Sequence, residues 1–339
     1  MKIKKNILFF SCVGDNIGLG HYKRLDSLQK YIFFETFNKN FFVLKIGSSS
    51  NSKIKFKANI KNKFTSFRFR KKYDIAFVDI SNNYFINNLI LTKLILSKIR
   101  LISNKLILFD GLGEYNLKNK LNNTKYFDYI ISPYSNKSIS SSSKVLAGRR
   151  YAIIDSSILK YSKHQKINKV AKRIILTFGG SDLNQLTFKL LKILSKINIT
   201  LDIKIFIGPY FNKKNIFNIN KFHKQSNHNV IILRDTFNLA SHYSKADLIF
   251  VGSGLSKYEV AASGTPQIII SNNNHDEIYN SPFKRNGLKV INIKKNSSSI
   301  IIKEIDEIIF NEKLRNKLSN IGKKYIDGKG IERLLKKIL

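Results

Sequence analysis

Four residues near the amino terminus, Gly18-Leu19-Gly20-His21, have the types and spacing of a ligand-binding loop that carries a base. They follow an apolar run, Ile7–Val13, and precede a helical pattern that begins at Leu25. Glycines allow the backbone to approach a ligand, and exposed N–H groups at a helix start favour an anion such as a diphosphate. The same helix end disfavours a protonated imidazole, so we expect a neutral His21 that suits general-base catalysis. The alternative is a glycine turn with a surface histidine.

Two further glycine loops occur in the second half of the chain, each directly after an apolar run. Gly179-Gly180-Ser181 follows Arg173–Phe178, and Gly252-Ser253-Gly254 follows Asp247–Val251. A loop of this kind can cradle a phosphate with its backbone N–H groups. For the first loop the alternative is a plain turn in which Asp182 caps the following helix.

Ser256 and Glu259 have the spacing of a helix capping box, in which each side chain would satisfy a free N–H of the helix start. From the residues alone, this structural interpretation of Glu259 is favoured. In the functional alternative, the carboxylate of Glu259 accepts hydrogen bonds from two adjacent hydroxyls of a ribose.

These loops require elements that position them, and the apolar runs supply strands separated by helical patterns. Short strands that are apolar on both faces predict parallel sheets. We expect two Rossmann-like α/β domains, residues 1–155 and 171–339, joined by a polar linker at 156–170 and facing each other across a ligand-binding cleft. The last helix is expected to be able to pack back on the first domain. The polar segments 47–63 and 136–144 are expected to be irregular.

Composition limits the class of protein further. A hydrophobic fraction of 43% provides a core, and the single cysteine, Cys12, fits a reducing compartment, so we expect a cytoplasmic protein. No apolar run is long enough to span a membrane. The net charge of +38 is spread along the chain and forms no basic patch, so it does not favour a specific role in nucleic-acid binding.

Several motifs, in shared order and spacing, resemble the PseG-like UDP-sugar hydrolases of pseudaminic acid biosynthesis, which cleave UDP-2,4-diacetamido-2,4,6-trideoxy-beta-L-altropyranose. These enzymes are related in fold to MurG, the peptidoglycan lipid II glycosyltransferase. The motifs are Gly18-x-Gly20-His21-x-x-Arg24-x-x-x-Leu28, Asp110, Ala147-Gly148, Ile175–Asp182, Gly254–Glu259, Gly264-Thr265-Pro266 and Gly328-x-Gly330-x-x-Arg333.

The resemblance implies a glycosyltransferase-B-like (GT-B-like) fold, a UDP-linked deoxy-amino sugar as substrate, no metal and no cofactor. It makes His21 the catalytic residue and Glu259 the residue that holds the uridine ribose. Arg24 could help to stabilise the developing charge of the leaving UDP. The other positions that match the family's substrate-binding segments are Gly18, Gly20, Asp110, Gly180, Ser181, Leu233, Gly254, Leu255, Ser256 and Asn274.

Departures from the family pattern lie near the sugar side or the linker. Gly111 stands where a second aspartate is frequent, His275 replaces a glutamine after Asn274, and Asp155 stands in a segment without the usual Arg-Pro-Glu. The nucleotide side follows the pattern better than the sugar side does.

Three functions remain open from the sequence. The preferred one is hydrolysis of a UDP-linked diacetamido-trideoxy sugar to UDP and free sugar. The same histidine could instead deprotonate an acceptor hydroxyl in a MurG-like glycosyltransferase. The third is a non-enzymatic binder of nucleotide sugars or RNA, for which RNA affinity would fall steeply with salt.

Overall fold

The computed structural model describes residues 5–32, 37–47, 56–70, 72–111, 116–121, 126–135, 144–162, 166–234, 236 and 238–339. The chain divides into two compact units. The N-terminal unit contains the described residues up to Ile154 together with Gly328–Leu339, and the C-terminal unit contains Asp155–Asp327.

The N-terminal unit is built on a sheet of seven strands in the order β3-β2-β1-β4-β5-β6-β7, and every neighbouring pair is parallel. The strands are β1 Lys5–Gly14, β2 Phe37–Ile46, β3 Asn59–Lys61, β4 Tyr73–Asp79, β5 Ser103–Phe109, β6 Tyr129–Ser132 and β7 Val145–Ala147. Successive residues of β1 are buried on both faces, as expected for a central strand of a covered parallel sheet.

The helices of this unit come from both ends of the chain. They are α1 Gly20–Tyr31, α2 Asn83–Asn87, α3 Leu89–Leu101, α4 Leu117–Leu121 and, from the carboxyl end, α13 Gly330–Ile338, with short 3₁₀ turns at Phe64–Ser66 and Arg149–Tyr151. A side chain at Gly330 would collide with the carbonyl oxygen of Ala152, which explains why glycine begins this last helix. The Lys105 ammonium also donates to the carbonyl of Ile338 at 2.8 Å.

The C-terminal unit repeats the architecture with a six-stranded parallel sheet in the order β10-β9-β8-β11-β12-β13. Its strands are β8 Arg173–Thr177, β9 Asp202–Ile207, β10 Asn229–Arg234, β11 Leu248–Val251, β12 Gln267–Ser271 and β13 Lys289–Asn292. Its helices are α5 Ser156–Ser162, α6 Leu186–Leu194, α7 Lys213–Gln225, α8 Ala240–Tyr243, α9 Ser256–Ser263, α10 Asn274–Arg285, α11 Ser298–Phe310 and α12 Glu312–Tyr325.

Each sheet reverses its strand order once. In the N-terminal unit the chain moves outward from β1 to β3 and then returns to β4 on the other side of β1. In the C-terminal unit it moves from β8 to β10 and then returns to β11 on the other side of β8. Loops leaving the two central strands therefore diverge, and the crevice between them is where open α/β sheets bind ligands.

The predicted pair of parallel-sheet α/β units is confirmed, and local differences have physical causes. Between β4 and β5 the chain forms two helices, α2 and α3, because Asn82 caps α2 and the chain leaves helical geometry at Asn88. Part of the segment 47–63 forms β3. Residues 48–55 and 136–143, where irregular loops were expected, lie outside the described residues.

In the part of the chain that the structure describes, no helix combines the length and the apolar character needed to cross a membrane. The polar segment 156–170 carries α5, whose Ile158 is buried within the C-terminal unit.

Candidate functional site

The glycine loop of the N-terminal unit lies at the sheet's reversal point. Gly18 has a positive φ of 73°, a conformation that L side chains rarely adopt, and its N–H donates to the carbonyl of Gly14 at 2.7 Å. α1 begins at Gly20, and no side chain caps it. His21 is therefore held in the first turn of α1, where its side chain is 13% exposed.

A buried carboxylate lies against His21. Asp79 is the last residue of β4, the strand beside β1, and its Oδ1 lies 2.5 Å from Nδ1 of His21. Arg24, one turn further along α1, donates from Nε to Oδ2 of Asp79 at 2.6 Å and from Nη2 to Oδ1 at 3.1 Å. Burial alone would raise the pKa of Asp79, but the positive charge of Arg24 and the hydrogen bonds from His21 and Arg24 outweigh it, so its pKa lies below the ordinary value.

Asn82 fixes the other side of the imidazole. Its Oδ1 accepts the N–H of Tyr84, which turns its Nδ2 toward Sγ of Cys12 at 3.2 Å and Nε2 of His21 at 3.4 Å. An amide nitrogen can only donate, and the ionised Asp79 can only accept. His21 is therefore assigned as the tautomer with a proton on Nδ1 and an unprotonated Nε2, which is the atom that can take a proton.

The guanidinium of Arg24 is bonded to Asp79 and is largely shielded from solvent. Its Nη1 donates to the hydroxyl of Tyr134, and its guanidinium carbon lies 5.3 Å from the centre of the Tyr134 ring and 5.6 Å from that of Phe109. The side chain is 7% exposed. This placement makes Arg24 a buried partner of Asp79, and its role in stabilising a leaving group stays a prediction.

Asp110 forms a separate arrangement at the end of β5. Its Oδ1 accepts the N–H of Leu117 at 2.8 Å and the hydroxyl of Ser81 at 3.1 Å, and Oδ2 accepts the N–H of Lys118 at 3.3 Å. Burial raises the pKa of Asp110 to about 6, although these hydrogen bonds oppose the shift. Asp110 thus binds the start of α4, and Ser81 connects it to the loop that carries Asn82.

The first glycine loop of the C-terminal unit is fixed by close backbone contacts. Gly179 has a φ of 78°, and the carbonyl of Gly180 accepts the N–H of Tyr210 at 2.9 Å. A Cβ on Gly208 would lie 2.5 Å from the Gly180 oxygen, so the loop after β9 supports the loop after β8. Ser181 is half-buried in this loop.

Asp182 holds the helix that follows this loop. Its two carboxylate oxygens accept the N–H groups of Leu186 at 2.7 Å and Thr187 at 3.0 Å. Asn215 donates to the same carboxylate at 3.2 Å. The structural interpretation of Asp182 as a helix-capping carboxylate therefore agrees with these contacts.

The second loop, Gly252–Leu255, leads into α9. The capping box expected from Ser256 and Glu259 is wrong, because Ser256 is already the first helical residue and the N-cap is Leu255, with no side-chain cap. Gly254 is exposed and Leu255 and Ser256 are half-buried at the open end of α9. Glu259 is buried one turn further along. Burial of Tyr243, together with the nearby negative charge of Glu259, raises the pKa of Tyr243 well above the ordinary range.

A fully buried lysine, Lys257, is the main feature of this unit that the sequence did not reveal. Its Nζ donates to the carbonyl of Tyr279 at 2.8 Å and to Oδ1 of Asn280 at 2.7 Å. Nδ2 of Asn280 donates in turn to the hydroxyls of Ser253 at 3.0 Å and Ser271 at 2.9 Å. Burial lowers the pKa of Lys257 to about 7.

The remaining sequence-predicted positions lie apart from these clusters. Leu233 is near the end of the edge strand β10, two strands from β8. Asn274 is the first residue of α10 and is exposed. The structure thus gathers Gly18, Gly20, His21 and Arg24 at one reversal point. It gathers Gly180, Ser181, Gly254, Leu255 and Ser256 at the loops of the other.

Asp79, Asn82 and Tyr134 were missed as site residues by sequence reasoning. The available signal was a buried strand that ends in Asp79 and is followed by the polar pair Ser81-Asn82. Among the residues that the structure describes, no group of three or more histidine, cysteine, aspartate or glutamate residues could hold a metal ion.

Comparison with known proteins finds relatives by sequence over part of the chain. No protein-family model matches the sequence. An uncharacterized protein of Methanocaldococcus jannaschii, MJ1062, is 28% identical over 51% of this chain and 37% of its own length. The spore coat polysaccharide biosynthesis protein SpsG of Bacillus subtilis is 24% identical over 58% of each chain. The chain thus spans 37% and 58% of the lengths of these curated relatives.

Solved structures with the same fold cover nearly the whole chain. MurG of Acinetobacter baumannii superposes with a TM-score of 0.62 at 13% identity, covering 98% of this chain and 99% of its own. UDP-GlcNAc 2-epimerase of Neisseria meningitidis, solved with UDP-GlcNAc, has a TM-score of 0.55 at 14% identity over 98% and 99%. Anabaena HepE, solved with UDP and glucose, has a TM-score of 0.57 at 12% identity over 98% of each chain. The fold is therefore of the GT-B class.

Proposed function

We propose that this protein is an enzyme that acts on a UDP-sugar, and that it hydrolyses a UDP-linked diacetamido-trideoxy sugar to UDP and the free sugar. Its fold is shared with MurG and with proteins solved with UDP-GlcNAc or with UDP and glucose. SpsG, a relative by sequence, is named for polysaccharide biosynthesis. The motif resemblance to PseG-like hydrolases supports the narrower substrate and reaction.

The observation that carries the proposal is the pairing of His21 with Asp79 at the reversal point of the N-terminal sheet. With Nδ1 bonded to a buried carboxylate, Nε2 is the basic atom of the ring. The contact from Nδ2 of Asn82 to Nε2 of His21 is long at 3.4 Å. A water molecule can therefore take the place of the amide and donate its own hydrogen bond to Nε2. A positioned base of this kind contributes about 10²–10⁴-fold to a rate.

In the proposed reaction, Nε2 of His21 takes a proton from water as the water oxygen forms a bond to the anomeric carbon. The bond from that carbon to the diphosphate oxygen breaks, and UDP leaves with the electron pair. The imidazolium that forms is stabilised by Asp79, which donates no proton and remains ionised. Arg24 keeps Asp79 ionised and oriented through its two hydrogen bonds.

The C-terminal unit is proposed to hold the nucleotide. Backbone N–H groups at Gly180-Ser181 and at Gly254–Ser256 offer donors to a diphosphate, and the open amino end of α9 favours negative charge. Glu259 would accept the ribose hydroxyls, and backbone groups near Leu233 would border the uracil. With the capping box absent, helix capping no longer explains Glu259.

The test is to incubate the protein with UDP-sugars in the absence of any acceptor and to measure UDP release. We expect release by the wild type, a fall of about 10²–10⁴-fold for His21→Ala, and no change for His223→Ala, since His223 is exposed on α7. Equal rates for His21→Ala and the wild type would contradict the base assignment.

The acceptor requirement separates hydrolysis from transfer. UDP release that depends strictly on an added sugar alcohol would replace hydrolysis by glycosyl transfer with the same base. No release under either condition, combined with UDP binding, would leave a nucleotide-sugar binder.

A further inference from the structure

Lys257 is an unusual residue because its amine is completely buried. The side chain is completely buried on α9, and Nζ donates to the carbonyl oxygen of Tyr279 and to Oδ1 of Asn280. Among the described residues no carboxylate forms an ion pair with it. A buried ammonium is costly without a partner charge, so a lysine kept in such a place needs an explanation.

The surroundings of Lys257 are aromatic and carry little charge. Nζ lies 5.0 Å from the centre of the Phe283 ring, 5.5 Å from that of Tyr258 and 5.7 Å from that of Tyr279. Asp276, in the first turn of α10, is the charged residue that perturbs Lys257, and it favours the ammonium form. On α12, Tyr325 packs its ring on Phe283. Burial outweighs these effects, so the pKa of Lys257 falls to about 7.

One chain of hydrogen bonds leads from Lys257 to the loop after β11. Oδ1 of Asn280 accepts a hydrogen bond from Lys257, which orients the amide group. Nδ2 of Asn280 then donates to the hydroxyls of Ser253 and Ser271. A hydroxyl that accepts a hydrogen bond still has its own hydrogen to donate. Ser271 is fully buried, whereas Ser253 is half-buried in the loop at the reversal point of the sheet.

We propose that Lys257 is a positioning residue of the nucleotide site: through Asn280 it holds the Ser253 hydroxyl ready to donate to a diphosphate, and it takes up a proton when that diphosphate binds. This inference rests on the proposed binding of UDP by the C-terminal unit. An anion close to an amine favours its protonated form, and poor solvation in the protein interior strengthens that effect.

The decisive experiment is calorimetry of UDP binding to the full chain at about pH 8, in two buffers that differ in ionisation enthalpy. At that pH both phosphates of UDP are already ionised, so they release and take up no proton. We expect the wild type to take up about half a proton or more per UDP, and Lys257→Met to bind UDP with no uptake. Retention of the uptake by Lys257→Met, or its absence in the wild type, would overturn the inference.

Failure of the proposed function would look different. If the wild type does not bind UDP at all, the nucleotide assignment itself is wrong. If UDP binds without proton uptake, the nucleotide assignment stands and the role of Lys257 does not.

A pair of serine variants tests the same network without disturbing the buried amine. Ser253→Ala and Ser271→Ala each remove one hydroxyl that accepts from Asn280. We expect Ser253→Ala to weaken UDP binding by about tenfold, and Ser271→Ala by no more than about twofold, since only Ser253 can reach a ligand. Equal losses for the two variants would show that the network only supports the fold.

Discussion

The two reversal points of the sheets differ in chemistry although they are the same topological feature. At β1 and β4 of the N-terminal unit, Asp79, His21 and Arg24 form a compact cluster whose most exposed side chain is the imidazole of His21. At β8 and β11 of the C-terminal unit, the loops expose glycines and backbone, and the charged side chains nearby, Asp182, Lys257 and Glu259, are buried.

This difference teaches how one architecture supports two tasks. A proton acceptor needs a titratable group whose orientation and tautomer are fixed, and buried partners such as Asp79 and Asn82 fix them. An anion site needs donors that point outward and a positive environment, which backbone N–H groups and a helix end supply without an exposed charged side chain.

The largest effect is expected for Asp79→Asn. The amide would present either a donor or a weaker acceptor to Nδ1 of His21, so the tautomer and orientation of the ring would no longer be fixed. We expect kcat for UDP release to fall by at least about a hundredfold. The melting temperature should also fall, because Arg24 would keep its buried charge without a paired carboxylate.

Asp247→Asn is the matched control for that loss of stability. Asp247 is also buried, pairs with Arg173 at 2.6 Å and accepts backbone N–H groups. It lies at the amino end of β11, however, and the glycine loops lie at the carboxyl ends of the strands. We expect a lower melting temperature and a nearly unchanged kcat. Equal losses of kcat in both variants would mean that Asp79 acts only through stability.

The second largest effect is expected in the pH dependence of the free energy of unfolding, through Lys257. In the folded protein its pKa is about 7, well below the ordinary value of 10.5, so between these values the unfolded chain binds more protons. The free energy of unfolding of the wild type should therefore rise from about pH 7 to pH 10. Lys257→Met lacks this rise and should be more stable than the wild type by a few kcal/mol near pH 7.

Denaturant unfolding of both proteins across this pH range measures the difference. The gain of Lys257→Met over the wild type should shrink as the pH approaches 10. A constant difference at all pH values would show that Lys257 keeps an ordinary pKa and would remove the electrostatic contrast between the two units.

A smaller effect is expected from Asp110, which belongs to the N-terminal unit but not to its charged cluster. Its pKa of about 6 lies above the ordinary value of 3.8, so the folded state binds more protons between about pH 4 and 6. Asp110 should therefore reduce stability by about 2–3 kcal/mol as the pH rises through this window. The difference between the wild type and Asp110→Asn, measured by denaturant unfolding, should change across that window and be constant above it.

Sequence reasoning located the strands and glycine loops because they depend on local patterns. Ile7–Val13 and Gly18-x-Gly20 signal a strand and a turn without reference to the rest of the chain. The pairing of His21 with Asp79 could not be found in this way, since it depends on β4 returning to lie beside β1. The two residues are 58 positions apart, and the segment between them carries no local signal of that contact.

Lys257 and Ser256 show a second limit of prediction from sequence. Lysine is almost always exposed, so nothing in Ser256-Lys257-Tyr258 predicts complete burial. The Ser256–Glu259 spacing fits a capping box, but a pattern of two residues does not determine where a helix begins, and α9 begins one residue earlier than that pattern requires.

The smallest effects should separate Glu259 from Ser256 at the nucleotide side. Since Ser256 is already helical and caps nothing, Ser256→Ala should change the free energy of unfolding by less than about 0.5 kcal/mol. Glu259→Gln replaces one of two acceptor oxygens with a donor, so it should weaken UDP binding by about tenfold while lowering the melting temperature only slightly. Calorimetry with UDP and thermal unfolding of both variants provide the comparison. A large loss of stability in Glu259→Gln with unchanged UDP affinity would make Glu259 a structural residue, and the C-terminal reversal point would then hold its ligand through backbone groups and Ser253 alone.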